Sequence, residues 1–335
     1  MSAIVLDGTD PDAVARAARA IVDGAALVAI PTETVYGLAA NALDERAVAQ
    51  VFAAKGRPQD NPLIVHVPDW AHALPLWAKD DAVAIERARA LAHAFWPGPL
   101  TIVCWKSLAV PDVVCAGLPK VAVRAPRHPV LDLLFARLDV PIAAPSANAS
   151  GRPSPTCAAD VVATLGEHIE LVLDGGPCAH GIESSVVDVT GEHPVLLRPG
   201  AVEVAALRAV VPDLVVRAPG TAAHGDEASP GLRHRHYAPA LARVRLAGAA
   251  ELGAAWPGAA TLLVREGTAR ALRARHGTRA APLHTLDDEP AGFARGLYGA
   301  LYRIERERPA ELVIEEPPTD EAWLAVCDRL LRATS

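Results

Sequence analysis

Apolar runs too short for anything but strands recur through the first two hundred residues. Ala26–Ile30 stops at Pro31, and Leu63–Val67, Leu100–Trp105, Val121–Arg124, Ile142–Ala144, Leu171–Asp174, Ser185–Val189 and Val195–Leu197 follow it. Each lies between loops drawn from the chain's 24 glycines and 29 prolines. Runs of this length bounded by breakers read as buried strands. Helical stretches interrupt them unevenly. Asp10-Pro11 supplies an N-cap and a proline at the first helical position, with Val14, Ala17, Ala18 and Ile21 on one face and Gly24 at the end. Asp44 opens a second, carrying Val48, Val51 and Phe52, with Gly56 just past its end. Strands with irregularly placed helices predict one large mixed sheet rather than a strict βαβ repeat.

From Pro212 to about Pro239 the pattern breaks down into Gly, Pro, Ala and His with one short apolar piece, as a long basic linker would. Beyond it, strand-like Arg243–Leu246, Thr261–Val264, Pro282–Leu286 and Leu312–Ile314 alternate with helical stretches. That alternation predicts a small α/β unit with a parallel sheet. It contains neither GxGxxG nor GxxxxGK[ST], so no familiar nucleotide loop is expected there. The 335 residues divide as 1–211, a linker over 212–240, and 241–335.

Composition narrows the function. A hydrophobic fraction of 51% with 21% charged residues describes a globular chain. No apolar run nears the roughly 18 residues of a membrane span, and Met1–Asp12 lacks the basic start of a signal peptide. Five cysteines without a CxxC pair support neither disulfides nor structural zinc, so a cytoplasmic protein with reduced thiols is expected. A net charge of −7 and 4% aromatics disfavour a protein wrapped around nucleic acid, leaving room only for a local anion-binding patch.

Four polar stretches interrupt this apolar background. Pro31–Leu38 (PTETVYGL) follows a buried strand and suits a small-molecule site, or a capping turn with solvated hydroxyls. Lys55–Leu63 (KGRPQDNPL) sets two cations on a rigid loop, fit for an anion or merely solvated. Ala144–Thr156 (APSANASGRPSPT) offers hydroxyl, amide and backbone donors at a sheet edge, or is a Ser/Pro loop. Ile182–Asp188 (IESSVVD) and Arg198-Pro199-Gly200 each read equally as plain strand boundaries.

Together these stretches, with WPGPLT (96–101), VAVRAPRHP (121–129), RPGA (198–201) and SPGLRHRHYAP (229–239), resemble in content and order the threonylcarbamoyl-AMP synthase family in its two-domain Sua5 form. The last matches the family's SPGMKHRHYAP, departing at Leu232 and Arg233. The resemblance implies an α/β fold. A YrdC-like catalytic domain with a large twisted mixed sheet and flanking helices would occupy 1–211. A linker over 212–240 would close on the active site, and a small Rossmann-like α/β domain would form 241–335.

It also implies a nucleotidyltransferase that joins L-threonine, bicarbonate or CO₂, and ATP into threonylcarbamoyl-AMP, releasing pyrophosphate. A downstream tRNA threonylcarbamoyltransferase machinery would use the product for the t6A modification, with weak tRNA binding expected here. The family pattern puts threonine on Thr34, His66, Arg124, Ser184 and the backbone of Ala144. It puts ATP on Arg57, Asn61, Lys120, Ser146, Ser154, Arg198 and Tyr237, with Lys55 and Arg57 as the catalytic cations. No resident metal ligands are expected, and Mg²⁺ would arrive on ATP. The absence of a Ser-His-Asp set or reactive cysteine fits, since a carbamate is already an anionic nucleophile and needs positioning and charge neutralisation. The rival from another class is an RNA-binding module without adenylate synthesis. A zinc-bearing carbamoyl-transfer enzyme is disfavoured by the missing CxxC pairs, and a ligand-sensing role for the C-terminal unit stays open.

Overall fold

The computed structural model describes residues 3–24, 26–219, 236–255, 260–276 and 282–334, and all that follows concerns these. Eleven strands form the first sheet. They are β1 (Ile4–Asp7), β2 (Val28–Ile30), β3 (Gly37–Asn41), β4 (Ile64–His66), β5 (Leu100–Trp105), β6 (Lys120–Arg124), β7 (Ile142–Ala143), β8 (Leu171–Asp174), β9 (Ser185–Asp188), β10 (Val195–Arg198) and β11 (Val215–Val216). Their spatial order is β1-β8-β2-β3-β7-β4-β6-β5-β9-β10-β11. Parallel pairs (β4 with β6, β5 with β9) mix with antiparallel ones (β2 with β3, β5 with β6), which makes this the expected large mixed sheet.

Helices cover both faces because the strands are apolar on both sides. On one face Val14, Ala17 and Ile21 of helix Pro11–Val22 pack with Leu131 and Leu134 against Val28 and Ile30. On the other, Val48, Val51 and Phe52 of helix Glu45–Lys55 join Trp77 and Leu91 over Leu38 and Val65. The caps are as read. Asp10 and Asp44 accept from Asp12 and Arg46 amides, and Gly56 closes the second helix in the left-handed region at φ 56°. Helices Ala82–Phe95, Ala158–Leu165 and Val204–Val210 gave no clear signal in the sequence, because alanines dilute their apolar stripes. The edge strand β1 was also unread.

The second sheet has β12 (Val244–Ala247), β13 (Thr261–Arg265), β14 (Leu283–Leu286) and β15 (Leu312–Glu315) in the order β12-β15-β13-β14. All its pairs are parallel, as expected of the small α/β unit. Its helices Pro290–Glu307 and Leu324–Thr334 face the first sheet, and Val35 and Ile182 are buried in one cluster with Leu297, Tyr298 and Leu330. Within the stretch read as linker, Val215–Val216 pairs with β10 and extends the first sheet. Arg233, His234 and Arg235 lie outside the described residues, and the linker is followed again from His236.

Candidate active site

β4 and β6 run parallel in a register that sets His66 beside Arg124, so both side chains arrive at the same end of the sheet. Arg124 is buried and held on three sides. Its Nη1 donates to Thr34 Oγ1 at 2.9 Å and its Nε to the Gly98 carbonyl at 3.2 Å. Nη2 lies 2.8 Å from Glu33 Oε2, a charge contact not aligned as a hydrogen bond. Thr34 is fixed in turn by Thr32, whose hydroxyl lies 2.9 Å from its own and accepts from the Thr34 amide. His66 Nδ1 donates to the Ile64 carbonyl at 3.2 Å, which leaves Nε2 as an acceptor. Burial, and then the Arg124 charge, pushes the His66 pKa down to about 3, so the ring is neutral.

The loop after helix Glu45–Lys55 supplies a second group of cations. Arg57 folds back on its own loop, donating to the Asn61 carbonyl at 3.0 Å, Asn61 Oδ1 at 2.6 Å and the Pro62 carbonyl at 2.8 Å. Burial lowers its pKa to about 9. Lys55 Nζ donates to the Ser146 and Asn148 carbonyls, tying this loop to 144–156. Burial and the Arg57 charge hold its pKa well below the ordinary lysine value. Across the cavity Arg198 donates to the Ser184 carbonyl and hydroxyl at 3.1 and 3.2 Å, and Ser184 Oγ also meets Thr101 Oγ1 at 2.8 Å. Gly200 is required here. A Cβ on it would stand 2.3 Å from the Ser184 carbonyl carbon, so only glycine lets the 198–201 turn lie against residues 183–185.

Thr34, Arg57, His66, Arg124, Ala144, Ser146, Ser184, Arg198 and Tyr237 line one cavity. Asn61 sits one contact behind on Arg57, Lys55 behind Ser146, and Ser154 behind Glu183, to which its hydroxyl donates at 2.5 Å. Lys120 is not brought there. It lies four residues along β6 from Arg124, about 13 Å at ~3.3 Å per residue. Its ammonium pairs with Asp188 at 2.8 Å and lies over the Trp105 ring. The sequence reading missed Glu183, which lines the cavity, and the second-sheet residues Tyr298 and Arg329 that hold it. Glu183 stood inside a quoted motif, whereas nothing marks a lone arginine on a C-terminal helix.

His236 and Tyr237 form the remaining wall. Tyr237, with φ 66°, stacks on Tyr298 at 5.7 Å between ring centroids and lies 5.2 Å beneath the Arg329 guanidinium. His236 Nε2 faces Asn61 Nδ2 at 3.5 Å. With these two in place the cavity measures about 50 Å³, far below the roughly 300–1,000 Å³ of ordinary ligand pockets.

Comparison with known proteins fits this arrangement. The Sua5/YciO/YrdC family model (telomere recombination) matches residues 20–200, and the threonylcarbamoyl-AMP synthase C-terminal domain matches 202–335. The chain is 39% identical to threonylcarbamoyl-AMP synthase of Pyrococcus abyssi over 321 residues, covering 95% of this chain and 93% of that protein. The Bacillus subtilis threonylcarbamoyl-AMP synthase is 37% identical over 318 residues, covering 92% and 89%. The crystal structure of P. abyssi Sua5 complexed with L-threonine superposes with a TM-score of 0.87 at 35% identity, over 99% of this chain and 97% of that one. Escherichia coli YciO, at 19% identity and TM-score 0.54, shares the fold over 62% of this chain. Matched by both domain models and by relatives along nearly its whole length, the chain belongs to the threonylcarbamoyl-AMP synthase family.

Proposed function

We infer that the protein condenses L-threonine, bicarbonate and ATP into threonylcarbamoyl-AMP and pyrophosphate. The observation that carries this reading is the convergence of three buried arginines, Arg57, Arg124 and Arg198, on the wall of one small cavity, with the buried Lys55 just behind it on Ser146. The buried carboxylates Glu33 and Glu183 beside them each already face an arginine. A site so rich in positive charge suits two anions held together, a carboxylated amino acid and a polyphosphate.

Arg124 and Thr34 take the threonine carboxylate, with Ser184, the Ala144 backbone and the neutral His66 around the rest of the amino acid. The threonine amine captures CO₂ derived from bicarbonate and loses a proton to form the carbamate. A carbamate oxygen then attacks the α-phosphorus in line, and the bond to the bridging oxygen breaks to release pyrophosphate. Arg57 and Arg198 neutralise charge on the triphosphate, while Lys55 fixes the 144–156 loop and adds field. Asn61 keeps Arg57 aimed. Ser154, with its proton donated to Glu183, meets the nucleotide as an acceptor.

Mg²⁺ fits as a passenger on ATP. Among the described residues no group of three His, Cys, Asp or Glu side chains is arranged to hold a metal, so phosphate oxygens and water would supply its ligands. Because the cavity is too small for nucleotide with Tyr237 seated, His236 and Tyr237 withdraw to admit ATP and return over it. This fits the division into 1–211, a linker over 212–240, and 241–335. The tRNA-modifying machinery that consumes the adenylate is the partner, in the cytoplasm. No described helix is long and apolar enough to cross a membrane. The RNA-binding alternative draws no support from cations buried around a cavity rather than spread on a surface.

The test is pyrophosphate release from Mg-ATP with each co-substrate omitted in turn. Release should require both L-threonine and bicarbonate; release that ignores threonine would refute the reading.

A further inference from the structure

Glu183 is a carboxylate on the wall of a cavity read as taking anions, which is an electrostatic contradiction unless its charge is answered. The second sheet's helices answer it. Arg329 Nε donates to Glu183 Oε2 at 2.7 Å, and the Tyr298 hydroxyl donates to the same oxygen at 3.0 Å. Ser154 occupies Oε1. Arg329 is fully buried, and its Nη1 also donates to the Pro199 carbonyl at 2.9 Å and to Asp328 Oδ2 at 2.8 Å. One guanidinium therefore joins Glu183, just before β9, to the 198–201 turn from a helix more than a hundred residues later in the chain. The Arg329 guanidinium carbon also lies over the ring of Tyr237, 5.2 Å from the centroid, so it reaches the linker wall as well. Burial favours the protonated Glu183, but Arg329, Arg198 and the donated hydrogen bonds outweigh it, and the carboxyl stays ionised below its ordinary pKa.

Other contacts between the two sheets lack this geometry. Arg306 pairs with Asp160, and Arg295 donates to the Ala179 carbonyl, neither on the cavity wall. They dock the two bodies. The Arg329–Tyr298 pair, by contrast, hydrogen-bonds a carboxylate that faces the ligand space.

We propose that Arg329 and Tyr298 are positioning residues of the active site, pinning and charge-compensating the Glu183 carboxylate so that a polyphosphate can bind beside it. The second α/β unit is then part of the nucleotide site as well as the anchor of the linker. Loss of Arg329 removes the one guanidinium bonded to Glu183 and leaves an anion facing ATP with the Ser154 and Tyr298 hydroxyls and the more distant Arg198 charge to answer it, and neutralising Glu183 removes that need for Arg329. This proposal rests on the nucleotide-binding part of the function inferred above.

The experiment measures ATP and L-threonine dissociation constants by calorimetry on full-length wild type, Arg329→Met, Arg329→Met/Glu183→Gln, Tyr298→Phe and Arg306→Met, with thermal midpoints alongside. Arg329→Met should weaken ATP by about tenfold or more while threonine moves much less. Adding Glu183→Gln should restore most of the ATP affinity, a rescue that lost domain docking would not give. Tyr298→Phe, which keeps the ring stack and removes one donor, should weaken ATP severalfold. Arg306→Met should lower the midpoint without touching ATP affinity. Unchanged ATP binding in a folded Arg329→Met protein, or no recovery in the double variant, overturns the proposal. If Arg329→Met does not fold, an unaltered ATP constant in Tyr298→Phe overturns it. A wild type that binds both ligands but forms no adenylate refutes the synthase reading alone, and one that binds no ATP refutes both.

Discussion

Lowering the pH should loosen the linker from the cavity, and His236 sets the size of the effect. In its seat the ring is buried, with Nε2 turned to the Asn61 amide nitrogen. Burial comes first, and then the Arg57, Lys55 and Arg332 charges, opposed by Glu183, in pushing its pKa down to about 3. Once withdrawn into water the ring titrates near the ordinary histidine value of 6.5. Between those two values the withdrawn form binds the extra proton, so docking weakens as pH falls and is indifferent to pH well above 6.5. Each pH unit in that window is about 1.4 kcal/mol, so at pH 5 docking should lose about 2 kcal/mol, roughly a thirtyfold shift. The Ala238 amide reports the docked state, because it donates to the Gly151 carbonyl at 2.9 Å. Hydrogen exchange of that amide, corrected for intrinsic rates, should show protection falling between about pH 7.5 and 5, and His236→Gln should flatten the step. Constant protection across this range, or an equal step in His236→Gln, would show that the seated histidine does not control docking.

Three further outcomes follow from the site. Arg124→Met should weaken L-threonine about 10- to 100-fold by calorimetry, the range for a lost charge-assisted hydrogen bond, with ATP affinity little changed; an equal loss for both ligands would contradict the division of the site. Arg57→Ala should raise the KM for ATP more than that for threonine, and unchanged ATP kinetics would remove its phosphate role. Gly200→Ala should cost several kcal/mol and lower the thermal midpoint, since its Cβ meets backbone atoms at 2.3 Å that cannot swing aside; a wild-type midpoint would mean the turn relaxes freely.

The readable parts of this chain were those where local chemistry and tertiary role coincide. Runs such as Leu100–Trp105 and Leu312–Ile314 are buried on both faces, so their apolar character survives in a single sequence. Asp10, Asp44 and Gly56 announced their helices because each cap acts within a few residues. The polar stretches were legible for the opposite reason: threonines, arginines and serines stand where an apolar strand has just ended. Gly37 and Leu38 closed the motif quoted as PTETVYGL and prove to open a strand, Gly37–Asn41, whose small residues are buried beside 144–146. Lys120 was assigned to ATP by its place in a motif, but the strand carries it away from the cavity to Asp188. Arg329 and Tyr298 were invisible, since their meaning depends on a partner, Glu183, that only the fold brings near.

The central claim is that threonine, bicarbonate and ATP meet in this one cavity, and an isotope decides it. Incubation with Mg-ATP, L-threonine and carbon-13 bicarbonate, followed by mass spectrometry, should give threonylcarbamoyl-AMP one mass unit heavier than from unlabelled bicarbonate, in step with pyrophosphate. Pyrophosphate released without that labelled adenylate would contradict the account.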